Sequence, residues 1–206
     1  MQTDEKYEIE THPWEPWLPA DAKVLFMGTF PPGTHRWSMD FYYPNPINDF
    51  WRICSLLFIG EKEALYDRAT RSFNLDAIKA MTIERGIAMS DTVKRARRLK
   101  GNAADKFLEV IEGNDPTDLV ARLPHCQAVA TTGEKAAEVI ASLTGTEAPK
   151  MGEWTMWSPV PGRNIAIWRM PSTSRAYPMK IEKKAAYYAR LFESVGIPTI
   201  KLPGQP

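Results

Sequence analysis

Cysteine and histidine are scarce in this sequence of 206 residues, which has two of the first and three of the second. Cys54 and Cys126 lie far apart in apolar surroundings, which argues against a disulfide framework, an iron–sulfur cluster and a multi-cysteine zinc site. His35 and His125 have no partners at metal-ligand spacing. We therefore expect two buried thiols, no metal and no cofactor.

An excess of charge of one sign and a long apolar run are also lacking. The 26 Lys and Arg residues nearly balance 25 Asp and Glu residues, and the net charge of +1 creates no global attraction for nucleic acid. Residues 1–10 are polar and acidic, unlike a secretory signal. No apolar segment approaches the roughly 20 residues that span a bilayer. These absences predict a cytoplasmic protein whose nucleic-acid surface, if any, comes from local clustering.

Proline and tryptophan are abundant instead, with 17 and seven residues. Prolines concentrate in loops, and large rings form either core or contact surface, so aromatic loops are the places to look for function. The segment THPWEPWLP has both residue types and predicts that residues 1–20 form an arm packed on the body. The length suits one substantial core, so residues 1–206 predict a single domain, which we expect to be monomeric.

Short apolar runs alternate with amphipathic segments along the chain. Strands are predicted at residues 23–28, 85–90 and 126–131, and residues 154–160 and 164–170 predict a strand pair or a strand that meets the main sheet. The alternation predicts an α/β fold, a three-layer αβα sandwich with a central, mostly parallel four-stranded sheet. Ligands bind at the carboxyl ends of such strands. This rule selects the loops after Gly28, after Ser90 and after Met170, in the segments GTFPPGTHRWS, SDTVKRARR and MPSTSRAY.

Two blocks of these loops resemble the uracil-DNA glycosylase superfamily. VLFMGTFPPG with FYYPNPINDFWRI is similar to its first signature, above all in the hypoxanthine-DNA glycosylase branch, with the mismatch-specific uracil/thymine-DNA glycosylases as close relatives. MPSTS is similar to the second signature, and GIAMSD and CQAVATTGEKA keep the order, so the resemblance covers residues 23–195. It implies a base-excision repair enzyme that flips a deaminated or mismatched base, uracil or hypoxanthine, out of double-stranded DNA and hydrolyses its N-glycosidic bond.

The resemblance implies a pocket that holds the flipped base. Bond breakage builds positive charge on the sugar and negative charge on the base, so the pocket needs hydrogen-bond donors and a positioned water. Aromatic side chains would stack on the base, and the backbone amides of residues 29–33, held in a rigid turn, would reach its edge. The predicted base-binding residues are Gly28, Thr29, Phe30, Pro31, Gly33, Phe41, Tyr42 and Tyr43.

The first turn, GTFPPG, departs from most of the superfamily because it has neither an Asn nor an acidic residue. The hypoxanthine branch implies an Asn from NPINDFW instead, by position Asn48, with Asn45 second. Asn48 taken alone is more often a helix cap. Asp91 is the alternative catalytic carboxylate, which could orient water or stabilise the sugar cation, or could cap the next element. An amide is no strong general base, so Asn48 predicts modest chemical acceleration.

Contacts with DNA are predicted at two places. The resemblance implies that Ser172, Thr173 and Ser174 lie in the minor groove. It also implies that Arg175, where that branch tends to have proline, stands at the wedge that fills the gap left by the flipped base. A basic run, expected on a strand-to-helix loop or helix start, predicts salt-dependent phosphate contacts, although such a run is otherwise a solvated face. The run comprises Lys94, Arg95, Arg97, Arg98 and Lys100.

Two other hypotheses stay open on the sequence. One is a non-catalytic module that binds DNA lesions with the same fold. The other is a nucleotide-processing α/β enzyme that uses the same strand ends, binds free nucleotides and has no preference for DNA. The two DNA-binding hypotheses predict an affinity that falls steeply with salt.

Overall fold

A computed structural model of the chain describes residues 7–99 and 107–201, so Lys100 of the basic run lies outside the described residues. The strands are β1 (Ile9–Thr11), β2 (Val24–Gly28), β3 (Tyr66–Asp67), β4 (Ser72–Phe73), β5 (Ile87–Asp91), β6 (Val93–Arg98), β7 (Leu108–Gly113), β8 (Ala128–Thr132), β9 (Trp154–Val160) and β10 (Arg163–Met170). The helices are α1 (Phe50–Phe58), α2 (Leu75–Arg85), α3 (Pro116–Ala121), α4 (Glu134–Thr144) and α5 (Ile181–Ser194), and Thr34–Arg36 forms a 3₁₀ turn.

The central sheet has five strands in the order β5, β2, β8, β10 and β9. The first four are parallel to one another, and β9 runs antiparallel to β10. The prediction of a mostly parallel sheet is confirmed, but the count of four strands is wrong. Residues 154–160 and 163–170 both join the sheet, because an antiparallel pair needs only a tight turn, which Gly162 makes with a φ of 78°.

Helices cover both faces of this sheet. On β2, Val24 and Phe26 belong to one apolar cluster, to which α1, α2 and α5 contribute. Leu25 and Met27, which point to the other face, belong to a second cluster with residues of α3 and α4. Burial on both sides explains why β2 reads as a continuous apolar run.

A second sheet of three antiparallel strands contains β1, β6 and β7. The basic run forms β6 in this sheet, so its predicted placement on a loop or helix start is wrong. The reason lies in two apolar residues among the charges, since Val93 and Ala96 are buried against Leu108 in a small core of their own, and a register shift between them brings both to the same side of the strand.

The described part of the N-terminal arm, residues 7–20, joins both sheets. Its strand β1 pairs with β6. Farther along, Trp17 and Met89 of β5 exchange two backbone hydrogen bonds of 2.9 and 2.8 Å. The arm is thereby fixed beside the carboxyl end of β5.

The two cysteines are buried free thiols, as predicted. Burial raises the pKa of Cys126 to about 11 and raises that of Cys54 as well. Within the described ranges, no helix has the length and apolar character needed to cross a membrane.

Candidate active site

A pocket of about 480 Å³ opens at the carboxyl edge of the central sheet. Each of the four parallel strands contributes to it from its last residue or from the loop that follows. The volume lies within the range of about 300–1,000 Å³ that is usual for small-molecule sites. The pocket brings together many of the predicted site residues, namely Gly28, Thr29, Phe30, Pro31, Tyr43, Asn45, Asn48, Asp91, Ser172, Thr173 and Ser174.

Gly28 ends β2 and lets two side chains approach the backbone at the floor of the pocket. A Cβ atom at this position would lie 2.5 Å from Oδ1 of Asp91 and 3.2 Å from the hydroxyl of Tyr43. Real Cβ atoms essentially never come as close to an oxygen as the first of these distances. A larger residue here would push the Asp91 carboxylate out of its present position.

Asp91 is the last residue of β5, where it pairs with Gly28, and its side chain is 8% exposed. Its Oδ2 lies 2.9 Å from Nε2 of His12, which comes from the arm. Its backbone carbonyl accepts a hydrogen bond of 2.8 Å from the side chain of Asn114. The carboxylate is thus fixed at one oxygen, and no described residue hydrogen-bonds to Oδ1, which faces Gly28.

His12 is nearly buried, with a side chain 4% exposed. Burial lowers the pKa of His12. The hydrogen bond and negative charge of Asp91, with smaller contributions from the Trp14 carbonyl and Glu15, together raise the pKa by more than burial lowers it. The net pKa lies above the ordinary value of 6.5. Nδ1 lies 2.9 Å from the Trp14 carbonyl oxygen and 3.2 Å from the Trp14 amide nitrogen, and in the imidazolium form the ring donates to that carbonyl and to Asp91 at the same time.

Tyr43 presents its ring to the pocket from a left-handed backbone conformation, with a φ of 52°. This region is unfavourable for a bulky side chain by about 1–3 kcal/mol. Stacking on Phe50, with ring centroids 4.0 Å apart, and a hydrogen bond of 2.9 Å to the Thr132 hydroxyl hold the residue in place. Burial raises the pKa of Tyr43 well above its usual value, so its hydroxyl stays protonated.

Asn48 lies on the opposite wall, immediately before Asp49, the N-cap residue of α1, and its side chain caps the first amide of the helix. Its Oδ1 accepts a hydrogen bond of 2.8 Å from the amide of Phe50. Among residues 7–99 and 107–201, no acceptor receives a hydrogen bond from its side-chain NH₂ group. The backbone of Asn48 also forms an isolated bridge with Ser174, which joins the two predicted signature segments.

A buried ion cluster behind this wall holds the two segments together. Asp49 accepts from Nζ of Lys184 and Nε of Arg175, each at 3.0 Å, and its amide donates to the Thr173 carbonyl at 2.9 Å. Lys184 on α5 is completely buried and also donates to the Ser174 carbonyl at 2.8 Å. Arg175, predicted as the wedge, is therefore paired with Asp49, while its side chain is 46% exposed.

Three predicted base-binding residues do not line the pocket. Phe41 and Tyr42 are 5% and 1% exposed and belong to the apolar core, so the prediction that their rings stack on a base does not fit their position. The chain turns at Tyr43, which sends only the third ring of FYY into the pocket. Gly33 precedes the 3₁₀ turn, outside the lining.

The cations of β6 are paired with glutamates. Lys94 lies 2.9 Å and Arg95 lies 3.7 Å from oxygens of Glu112. The remaining pairs are Arg97 with Glu109 at 2.7 Å and Arg98 with Glu10 at 2.8 Å. The predicted phosphate-binding run thus lies on a strand whose charges are largely neutralised.

Sequence reasoning missed His12 and Lys184. His12 stands in a proline-rich arm without periodicity, and Lys184 stands in a run of charged residues that is typical of a solvated helix face. The one available signal was periodicity, since Lys184 shares the buried face of α5 with Tyr188 and Leu191.

One of three comparisons with known proteins found a chain of similar architecture. No protein-family model matches the chain, and no curated protein matches it. A solution NMR structure of a "putative Uracil DNA glycosylase" from Methanosarcina acetivorans is similar, with a TM-score of 0.58 and 19% identity, over 91% of this chain and 99% of that chain. The two chains share a fold. This likeness supports the predicted α/β fold, and the activity has to be argued from the pocket.

Proposed function

We propose that the protein is a DNA glycosylase that hydrolyses the N-glycosidic bond of a deaminated base. The observation that supports this most is the meeting of distant segments in one pocket. Asn48 and Ser174 share a wall there, and Asp91 lies on the other side. An amide donor and a carboxylate are the groups that a departing base and an attacking water need.

The reaction uses these groups as follows. The C1′–N bond breaks and its electron pair leaves on the base, while a water oxygen forms the new C1′–O bond. The water loses a proton and the base gains one, so the products are an abasic deoxyribose and a neutral free base. Asp91 orients the water and stabilises the positive sugar, and the NH₂ group of Asn48 donates to the base or to the water.

The aromatic and hydroxyl groups of the pocket fit the handling of a flipped nucleotide. Phe30 and Tyr43 provide ring surface in the lining, on which a base can stack. Uracil and hypoxanthine both present a carbonyl beside a ring N–H, which suits the NH₂ donor of Asn48 and the backbone amide of Phe30. The hydroxyls of Ser172 and Ser174 lie at the rim, where they contact phosphates or the partner strand.

A set of labelled duplexes tests the proposal. Each duplex carries one lesion, either uracil, hypoxanthine or ethenocytosine, opposite each of the four bases, and an undamaged duplex serves as the control. Base release is measured as strand cleavage after alkali treatment, and binding is measured on the same duplexes. We expect release from at least one of the uracil and hypoxanthine duplexes. Normal binding of all duplexes without release from any would contradict the proposal.

A module that binds lesions without excising bases is the second candidate. The observation that favours it is the hydrogen bond from the Phe50 amide to Oδ1 of Asn48, which uses one lone pair of that oxygen and holds the side chain at the start of α1. An Asn used in this way can bind a base through its NH₂ group but cannot take a proton from water. Specific binding without release would favour this candidate, and preference for a free nucleotide over DNA would favour a nucleotide-processing enzyme.

A further inference from the structure

The arm places one imidazole directly behind the carboxylate of the pocket. His12 contacts Asp91 at 2.9 Å and is enclosed by the rings of Trp14, Phe30 and Tyr42, with centroids 5.6, 5.6 and 5.7 Å from its own. Strand β1 and the Trp17–Met89 pair fix the backbone on either side of it. The imidazole is therefore held in one orientation by the arm and by the pocket loop together.

This contact decides which oxygen of Asp91 faces the pocket. Oδ2 is occupied by Nε2 of His12. Oδ1 points to the space above Gly28, where a Cβ atom would lie 2.5 Å from it. Without the imidazole, the carboxylate could rotate about its terminal bond, since that torsion is soft for Asp. A donor at Oδ2 converts a mobile carboxylate into one with a fixed outward oxygen.

We propose that His12 is a positioning residue that orients the Asp91 carboxylate toward the water in the pocket, so that the arm forms part of the catalytic site. This inference rests on the proposed function. His12 itself touches neither water nor base in this scheme, because Asp91 stands between it and the pocket. His12 contributes through geometry and electrostatics, because a carboxylate is effective when its orientation toward the reacting atoms is set before the substrate binds.

The charge state of the pair gives the proposal a distinctive pH signature. The charged and titratable groups around His12 are Asp91 on β5, Glu15 in the arm and the Tyr42 hydroxyl, whose pKa burial raises so far that it stays neutral. Because the pKa of His12 is raised, the imidazolium persists above pH 6.5 and is lost only as the pH rises through the higher value. A neutral imidazole still donates from Nε2 but no longer carries a positive charge, which weakens its hold on Oδ2, so we expect kcat to fall on the alkaline side of that value.

Two substitutions and a pH profile test the inference. His12→Phe keeps a ring and removes the donor, so we expect kcat for base release to fall about tenfold or more, a part of the 10²–10⁴-fold effect of positioned acid–base groups, with the Kd for DNA nearly unchanged. His12→Gln keeps a neutral donor. It should retain more activity than His12→Phe and lack the alkaline fall in kcat. His125→Gln, in an exposed histidine at the opposite edge of the sheet, is the matched control and should leave kcat unchanged.

A direct titration separates the pair from the chemistry. The His12 resonance in NMR spectra of the wild-type protein should titrate above pH 6.5, and Asp91→Asn should lower its pKa. Unchanged kcat and an unchanged pH profile in both His12 variants of an active enzyme would overturn the inference alone. Failure of the wild-type protein to release any base would overturn the proposed function and the role of His12 with it. Thermal unfolding checks that both variants are folded.

Discussion

The two walls of the pocket hold their polar side chains by different means. On one wall, Asn48 is fixed by a cap bond and by the Asp49 cluster, in which fully buried Lys184 joins α1 to the loop after β10. On the other wall, Asp91 is fixed by His12, which comes from an arm. The first support belongs to the core of the fold, and the second belongs to a segment laid over it. The polar side chains of a pocket can thus be held in place either by the core of the fold or by a segment that packs on its surface.

The largest expected effect concerns the Asn48 wall. Asn48→Ala should lower kcat for base release by about 10²–10³-fold, the usual effect of removing one preorganised donor, with DNA affinity largely retained. Asn48→Asp keeps an oxygen for the cap bond to Phe50 and lacks the NH₂ group, so it isolates the donor from the cap. Single-turnover kinetics measure both variants.

Asn45→Ala is the matched control for this experiment, because Asn45 lines the same wall and its Oδ1 accepts only a local bond of 3.1 Å from Ile47 among the described residues. Its kcat should fall less than that of the Asn48 variants. If Asn48→Ala retained full activity, the Asn48 wall would have no part in the chemistry, which would depend on Asp91 alone.

The next effect concerns the support behind the Asn48 wall. Lys184→Met removes a buried cation and leaves Asp49 with Arg175 as its remaining ionic partner, so it should lower the free energy of unfolding by about 3 kcal/mol. For a chain of this size that corresponds to roughly 6–12 °C in Tm. Thermal unfolding monitored by circular dichroism measures the shift.

Lys183→Met tests the same helix at an exposed neighbour and should change the free energy of unfolding by at most about 0.5 kcal/mol. A Lys184→Met variant as stable as the wild-type protein would indicate that Arg175 alone neutralises Asp49. The wall would then not depend on the buried lysine.

The smallest expected effect concerns DNA affinity beside each wall. Arg36 lines the pocket near Asn45 and forms no ion pair with any residue in the described ranges, whereas Arg95, Arg97 and Arg98 of β6 are paired with glutamates. Arg36→Gln should lower the slope of log Kobs against log salt by about 0.9, the value for one phosphate contact. Replacing the three β6 arginines by Gln should change that slope less. A larger change in the triple variant would place the DNA backbone along β6.

The sequence predicted the parts of this fold that depend on local patterns. Residues 23–28, 85–90 and 126–131 were predicted as strands and form β2, β5 and β8 within two residues, because continuous apolar runs specify buried parallel strands. Since the carboxyl ends of parallel strands share one edge, the loops that carry Asn48, Asp91 and Ser174 could be assigned to one site.

The supports of the site were not predictable in the same way. His12 is 79 residues from Asp91 along the chain, and Lys184 is 135 residues from Asp49. The residues next to a single charged or polar residue are the same whether its side chain faces water or binds a distant partner. Tyr42 and Tyr43 make the same point, since one backbone torsion at the second of them separates a core ring from a pocket ring.

These separations also set the order in which the pocket is completed during synthesis. The arm is made before its partners, so His12 has no carboxylate to meet until β5 has been translated 79 residues later. Asp49 meets its partner later still, because Lys184 lies on the last helix of the described chain and is translated 135 residues after Asp49. Contacts between distant residues form slowly, since the loop that they close must be ordered first. The pocket is therefore expected to be assembled late, after the parallel strands that surround it have packed.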